Sequence, residues 1–410
     1  MPEVPQSNYR WYILALLTAI GTFVSAIPFS CMPVLFKEIS EDLDLSLVEI
    51  GTIWGVSSLA GVFVSIIAGV LSDRFGVRNF LSISCILVGI TGALRGLSDS
   101  FFTLALTVFL NGIVRLMIPI SVTKTIGIWF KGKNLGMAMG TGAMGMGFGL
   151  MLGPMISATV LSPLLGGWRN VMYLFGAISA AVGILWYIIG REPPQMDSPP
   201  ITTDKAPFWQ AFSKLIRNKA LWLLGLTLFF RTGCIMGMTG YIPLYLRGEG
   251  WMPGSADGAL AAFYAASTIC VVPLSSLSDR LGSRKAILFA ALVVTIVCIG
   301  FLPFTGGITI FVLMILSGIF FDGFMAIFTT MIIETEGVGP KVSGTALGLV
   351  FTIAQFGSVI SPPLGNSFAS TNPTLPFVFW AALGVIALLP FIFTRETTSK
   401  RIRGILSGGS

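Results

Sequence analysis

Apolar residues along this chain do not alternate with polar ones; they run on. Stretches of 20 or more almost uncharged residues recur through most of the 410-residue sequence, and a helix needs about 20 residues to cross a hydrocarbon layer roughly 30 Å thick. Twelve spans are predicted, at 11–36, 47–71, 79–98, 101–129, 134–161, 168–190, 219–246, 256–278, 284–303, 308–335, 341–369 and 374–394. The two-residue alternation of membrane β-strands is missing from all of them. The expected fold is therefore an all-α membrane protein. The first span starts right after Arg10 and is too long for the core of a cleaved signal, so it reads as a retained helix.

One polar, proline-rich stretch interrupts the pattern, "REPPQMDSPPITTDKAP" at 191–207, between the sixth and seventh spans. It divides the chain into a six-helix bundle at 1–190, a linker at 191–218, a second six-helix bundle at 219–396 and a tail at 397–410. Just after it, Phe208, Trp209, Phe212, Leu215 and Ile216 oppose Gln210, Lys214 and Arg217, a pattern suited to a helix lying along the inner membrane surface. The final Ser-Gly-Gly-Ser reads as an appended linker and is set aside.

Composition confirms lipid as the main solvent, because 54% hydrophobic and 10% charged residues leave too little polar surface to coat a water-soluble protein of this length. Charge fixes an orientation. With the amino terminus in the cytoplasm, 18 of the 25 Lys and Arg residues fall on that side, 4 lie outside (Lys37, Arg95, Arg169, Arg247) and 3 lie within spans. Both termini are expected in the cytoplasm, in a plasma or inner membrane, and the net charge of +7 calls for no nucleic-acid partner. All five cysteines fall inside spans without a CxxC pair, and there is no histidine. Disulfides, zinc sites and Ser-His or Cys-His catalysis are accordingly not expected, nor is any cofactor. "GTGAMG" at 140–145 has the spacing of a dinucleotide loop but follows no strand, and no phosphate-binding G-x-x-x-x-G-K-[ST] loop occurs. Gly145, Gly149 and Gly153, repeating every four residues and ending in Pro154, read better as a helix face that lets another backbone come close.

A polar turn occurs twice. "GVLSDRFGVR" at 69–78 is answered by "SSLSDRLGSR" at 275–284, so that Asp73, Arg74, Gly76 and Arg78 correspond to Asp279, Arg280, Gly282 and Arg284 at an offset of 206 residues. Each copy joins the second and third spans of its half, and the two glycines suit unusual backbone angles in a tight turn. At these residues the chain resembles the major facilitator superfamily, whose signature at this turn is G-x-L-x-D-R-x-G-x-R; the second copy departs from it at Ser275. The resemblance implies two six-helix bundles, alternating access around a central cavity, and a conformational gating role for these eight residues. It also links the 145–154 glycine stretch to an antiporter motif, from which Ser157 departs.

Four charges lie well inside spans: Arg115 and Lys124 in the fourth, Arg231 in the seventh and Asp322 in the tenth. Each costs about 2.5 to 3.5 kcal/mol at a helix centre on insertion scales. Arg115, Arg231 and Asp322 sit midway along their spans, whereas Lys124 is nine residues past Arg115 and suits a stem reaching the inner interface. The resemblance puts the three mid-span charges on the cavity wall. If Asp322 pairs with Arg231, Arg115 is left to bind an anion, with Arg231 as a second contact, Asp322 as the proton-coupling group and Asn111, Tyr241 and Gln355 as polar support. The plainer alternative is that the arginines brace helices through backbone carbonyls.

"WFKGKNLGMAMG" at 129–140 resembles a stretch of the monocarboxylate and the cyanate and nitrate-type porters, with Asn134 and Leu135 in place of a basic residue. The expected function is thus secondary transport of a small organic or inorganic anion, monocarboxylate-like and proton-coupled, by a monomer. The alternative is a drug/proton antiporter using Asp322 to recognise lipophilic cations.

Overall fold

The computed structural model describes residues 9–61, 76–130, 133–191, 213, 215–338 and 342–396. They form helices α1 (Tyr9–Leu43), α2 (Leu47–Leu59), α3 (Val77–Leu97), α4 (Phe101–Trp129), α5 (Asn134–Leu165), α6 (Trp168–Ile189), α7 (Lys219–Gly248), α8 (Pro253–Leu281), α9 (Arg284–Phe304), α10 (Ile308–Glu334), α11 (Ser343–Ser370) and α12 (Leu375–Ile392). Eleven are long and apolar enough to cross a membrane; α2 is the described start of the second span. No strand occurs among the described residues. The linker, most of the expected surface helix, the tail, Asp73 and Arg74 lie outside the described residues, although Leu215 packs into an apolar core.

The chain folds as two compact units, Met1–Ser198 with Pro243–Ala261, and Pro199–Ile242 with Ala262–Ser410. Pro243–Ala261, the end of α7 and the start of α8, lies in the first unit. There Arg247 pairs with Asp257 at 2.6 Å, and Thr159 of α5 donates to the same carboxylate at 2.9 Å. Three charged or polar groups taken out of water together need each other's hydrogen bonds.

Both units use the same helix pairings. In the first, α1 packs on α5, α2 on α4 and α3 on α6; in the second, α9 packs on α12. Close backbone approaches carry the repeat further. A Cβ on Gly112 would come within 2.7 Å of the Ser57 carbonyl, and 206 positions on, a Cβ on Gly318 would strike the Phe263 carbonyl. The same helix crossing is therefore built twice, each time where a side chain is missing. The α1–α5 contact uses the glycine stripe: a Cβ on Gly149 would lie 2.6 Å from that of Ala26, and those of Gly145 and Gly153 would strike Thr18 and Ser30.

Several spans are interrupted. α4 consists of Phe101–Arg115 and Met117–Trp129, and α10 of Ile308–Ile319 and Phe321–Glu334. α1 carries a wide π-helical stretch at Ile20–Ala26, and α5 another at Ser157–Leu161, after Pro154. In α4 the cause lies close by, since Pro119 has no N–H to give the carbonyl of Arg115. Broken helices tend to mark sites in membrane transporters because they free polar backbone groups at depth.

Candidate functional site

Two of the charged residues of the spans, Arg115 and Asp322, sit at these breaks. Arg115 is the last residue of the first α4 segment, 8% exposed, with its guanidinium 4.2 Å from the centroid of the Phe29 ring. That ring stacks on Trp54. The carbonyl end of a helix and an aromatic face both favour a cation, so this position lowers the cost of holding Arg115 away from water. Asp322 occupies the first turn of the second α10 segment, where the positive end of a helix favours an anion. Its carboxylate accepts from Ser267 Oγ at 2.6 Å.

Arg231 is 3% exposed and behaves differently from the expectation. It forms no ion pair with Asp322. Nη2 donates instead to the carbonyls of Phe320 and Phe321, at 3.3 and 3.2 Å, and the guanidinium lies 3.8 Å from the Phe324 ring centroid. The break in α10 leaves carbonyls that a neighbouring arginine can reach, while Ser267 satisfies the carboxylate. Nε of Arg231 is buried without a partner.

The supporting residues are scattered. Asn111 shares a helix face with Arg115, and its amide donates to Val88 O at 3.2 Å and Thr91 Oγ1 at 3.0 Å. Tyr241 lies about 15 Å along α7 from Arg231 at 1.5 Å per residue. It donates to the Pro373 carbonyl at 3.1 Å and packs on Phe377 and Trp380, which does not bring it to Arg231. Gln355 and Lys124 are half-buried.

Two further arginines have buried side chains: Arg95 is 2% exposed and the Arg247 side chain 7%. Arg95 stands near the end of its predicted span and Arg247 just past one, which gave no signal of this, because a terminal arginine can turn either way. Asp257, fully buried, was missed for the same reason.

In the two repeats, Gly76 has φ of +74° and Gly282 of +63°, where a side chain would be strained. Arg78 donates to the Tyr187 carbonyl at the end of α6 and stacks on that residue's ring. Its counterpart Arg284 makes a two-point contact with Glu334, at 2.9 and 3.0 Å, and lies 3.7 Å from Asp279. Glu396 caps the start of α9 through Ser283 and the amides of Arg284 and Lys285. Arg280 is exposed.

The profile of the Major Facilitator Superfamily matches residues 18–335 and again 250–407. The chain belongs to this superfamily. It is a multi-pass membrane transporter and not an enzyme. A nitrite extrusion protein of Bacillus subtilis (strain 168) is 24% identical over 391 residues, covering 93% of each chain. A cis,cis-muconate transport protein of Acinetobacter baylyi is 23% identical over 404 residues, covering 95% of each. Among solved structures, a bacterial homologue of the human lysosomal transporter Spinster, inward-facing and unoccupied, superposes with a TM-score of 0.77 at 19% identity, covering 95% of this chain and 96% of that one. At that identity the likeness speaks for the superfamily fold alone. The reading as a drug/proton antiporter receives no support from these relatives.

Proposed function

We propose that this superfamily member carries a small carboxylate or inorganic oxyanion across the plasma membrane by alternating access, with Arg115 as the principal anion contact. The observation that carries the reading is a buried guanidinium at a helix break in a chain aligned, over more than nine-tenths of its length, with relatives named for nitrite and cis,cis-muconate. A hexuronate transporter of Bacillus subtilis, 21% identical over 393 residues, adds a third anionic cargo. A hydrogen bond from a guanidinium to an anion is charge-assisted and roughly twice as strong as a neutral one, and a cargo held this way can leave again.

Arg231 serves as a second contact through its unpartnered Nε, and Asp322 couples transport to protons. The transporter works as a monomer with both termini in the cytoplasm, and the repeated turns act in conformational gating. The test is uptake into proteoliposomes of nitrate, nitrite, acetate and cis,cis-muconate under an imposed proton gradient. Arg115→Gln is expected to reduce uptake of the preferred anion at least tenfold, the scale of one lost charge-assisted hydrogen bond. Undiminished uptake by that variant defeats the assignment. Asp322→Asn is expected to abolish gradient-driven accumulation while leaving anion exchange.

A further inference from the structure

At the end of the first unit where α1 begins, Arg10, Arg78 and Arg191 each lie over an aromatic ring. The Arg10 guanidinium stands 5.4 Å from the ring centroid of Trp11 and 5.8 Å from that of Phe130, Arg78 4.9 Å from that of Tyr187, and Arg191 4.8 Å from that of Tyr9. The rings tie the ends of α1, α4 and α6 together. Tyr9 packs on Trp129 with ring centroids 6.2 Å apart, and its hydroxyl donates to the Ile189 carbonyl. Trp11 meets Phe130 edge-on at 5.4 Å.

The positive charge at this end goes unanswered. No carboxylate pairs with Arg10, Arg78 or Arg191 among the described residues. The repeat supplies the comparison. In the second unit Arg284, the counterpart of Arg78, has Glu334 at 2.9 Å and Asp279 at 3.7 Å, and Glu396 caps the helix that Arg284 begins. Arg78 meets a carbonyl and a ring where Arg284 meets Glu334. At the 206-residue offset, Ile128 stands in the place of Glu334 and Gly190 in the place of Glu396, so these two acids are missing from the first half altogether.

The surroundings of the arginines suit lipid rather than water. Tyr12 is 67% exposed, Tyr187 54% and Ile188 69%. Tyrosine and tryptophan collect at the level of lipid head groups, where one end of the ring is apolar and the other wet. Arg191, just past α6, is itself exposed. A ring that covers one face of a guanidinium leaves its N–H edge open, and that edge fits two oxygens of a phosphate.

We propose that this rim of the first unit binds the phosphate of an anionic phospholipid, with Arg191, over the ring of Tyr9, and Arg10, next to Tyr9 in the chain, as its two contacts. Arg78, whose Nε and Nη2 hold the Tyr187 carbonyl, positions the end of α6. The second unit, where acids already answer the corresponding cations, offers such a lipid less. The site is independent of the cargo.

The test uses the purified full chain in a neutral detergent, with thermal unfolding titrated with dioctanoyl phosphatidylglycerol, dioctanoyl phosphatidylcholine and inorganic phosphate. Phosphatidylglycerol is expected to raise the melting temperature saturably, because a ligand of the folded form stabilises it, and the other two to leave it unchanged. A basic residue beside an anionic head group shifts binding about fivefold. Arg191→Gln is therefore expected to raise the phosphatidylglycerol midpoint about fivefold, and Arg10→Gln with Arg191→Gln about thirtyfold. Because Arg191 is exposed, its single variant is expected to melt like the parent without lipid. Arg217→Gln with Arg395→Gln removes the same charge from exposed positions of the second unit and is expected to leave the midpoint within about twofold. No response to phosphatidylglycerol, or an equal one to phosphatidylcholine, overturns the proposal. An equal response to inorganic phosphate assigns the arginines to a soluble anion and overturns the lipid. A parental midpoint in Arg191→Gln, or a shift in the second-unit variant as large as in Arg10→Gln with Arg191→Gln, shows that overall charge acts rather than this rim, and overturns it as well.

Discussion

Ser267 and Asp322 close a ring of two hydrogen bonds between α8 and α10: the Ser267 hydroxyl donates to the Asp322 carboxylate at 2.6 Å and accepts from the Asp322 amide at 3.0 Å. One hydroxyl thereby caps the second segment of α10 and holds its charge. Ser267→Ala removes both bonds and is expected to lower stability by about 1 to 3 kcal/mol, the cost of a lost cap with a buried carboxylate left short of a donor. Thermal unfolding in detergent measures this, and Ser267→Thr is expected to recover most of the loss. An unchanged melting temperature for Ser267→Ala would show that the ring carries no weight.

Gly318 and Gly112 provide a paired comparison. Each faces a backbone carbonyl of the partner helix, Phe263 and Ser57, and a carbonyl cannot rotate aside as a side chain can. Gly318→Ala and Gly112→Ala are each expected to lower stability by about 1 to 3 kcal/mol, with the larger loss at Gly318, where the approach is closer. Gly140→Ala meets nothing within 4 Å and is expected to be neutral or slightly stabilising, read from the same melts.

The Arg247–Asp257 pair, with side chains 7% and 1% exposed, is of the kind that costs more to break than to replace. Asp257→Ala alone leaves the guanidinium buried and is expected to destabilise by about 3 to 5 kcal/mol. The double variant Arg247→Met, Asp257→Leu is expected to regain much of this. A double variant no more stable than the single one would show that Thr159 and the pair act through shape rather than charge.

Arg284 and Glu334 are more open, at 13% and 26% exposure, and water weakens their attraction. Arg284→Ala is expected to change equilibrium stability by no more than about 1 kcal/mol. Its expected effect on transport rate is larger, since the residue lies in the repeated turn. Comparing melting temperature with initial uptake rate separates the two.

Much of this architecture is legible in the sequence for local reasons. The length of an uninterrupted apolar run fixes whether a helix can span lipid, and the ends predicted for α3, α6 and α9 lie within a few residues of those observed. The repeat of Asp73–Arg78 at Asp279–Arg284 announces a doubled fold, and the Gly112 and Gly318 crossings keep the same offset. The glycine stripe of α5 is readable too, because four-residue spacing places small residues on one helix face.

The sequence determined that lipid surrounds this chain, that it has two related halves and that Arg115, Arg231 and Asp322 occur within its spans, because apolar run length and helical period are properties of neighbouring residues. Only the tertiary structure decided which partners those charges meet. Arg231 takes carbonyls about ninety positions away, Asp322 takes Ser267, and Arg95, near the end of its span, reaches Pro28, 67 residues earlier. A buried charge is satisfied by whatever donors or acceptors other helices bring within 3 Å or so, and that proximity depends on packing across the whole bundle.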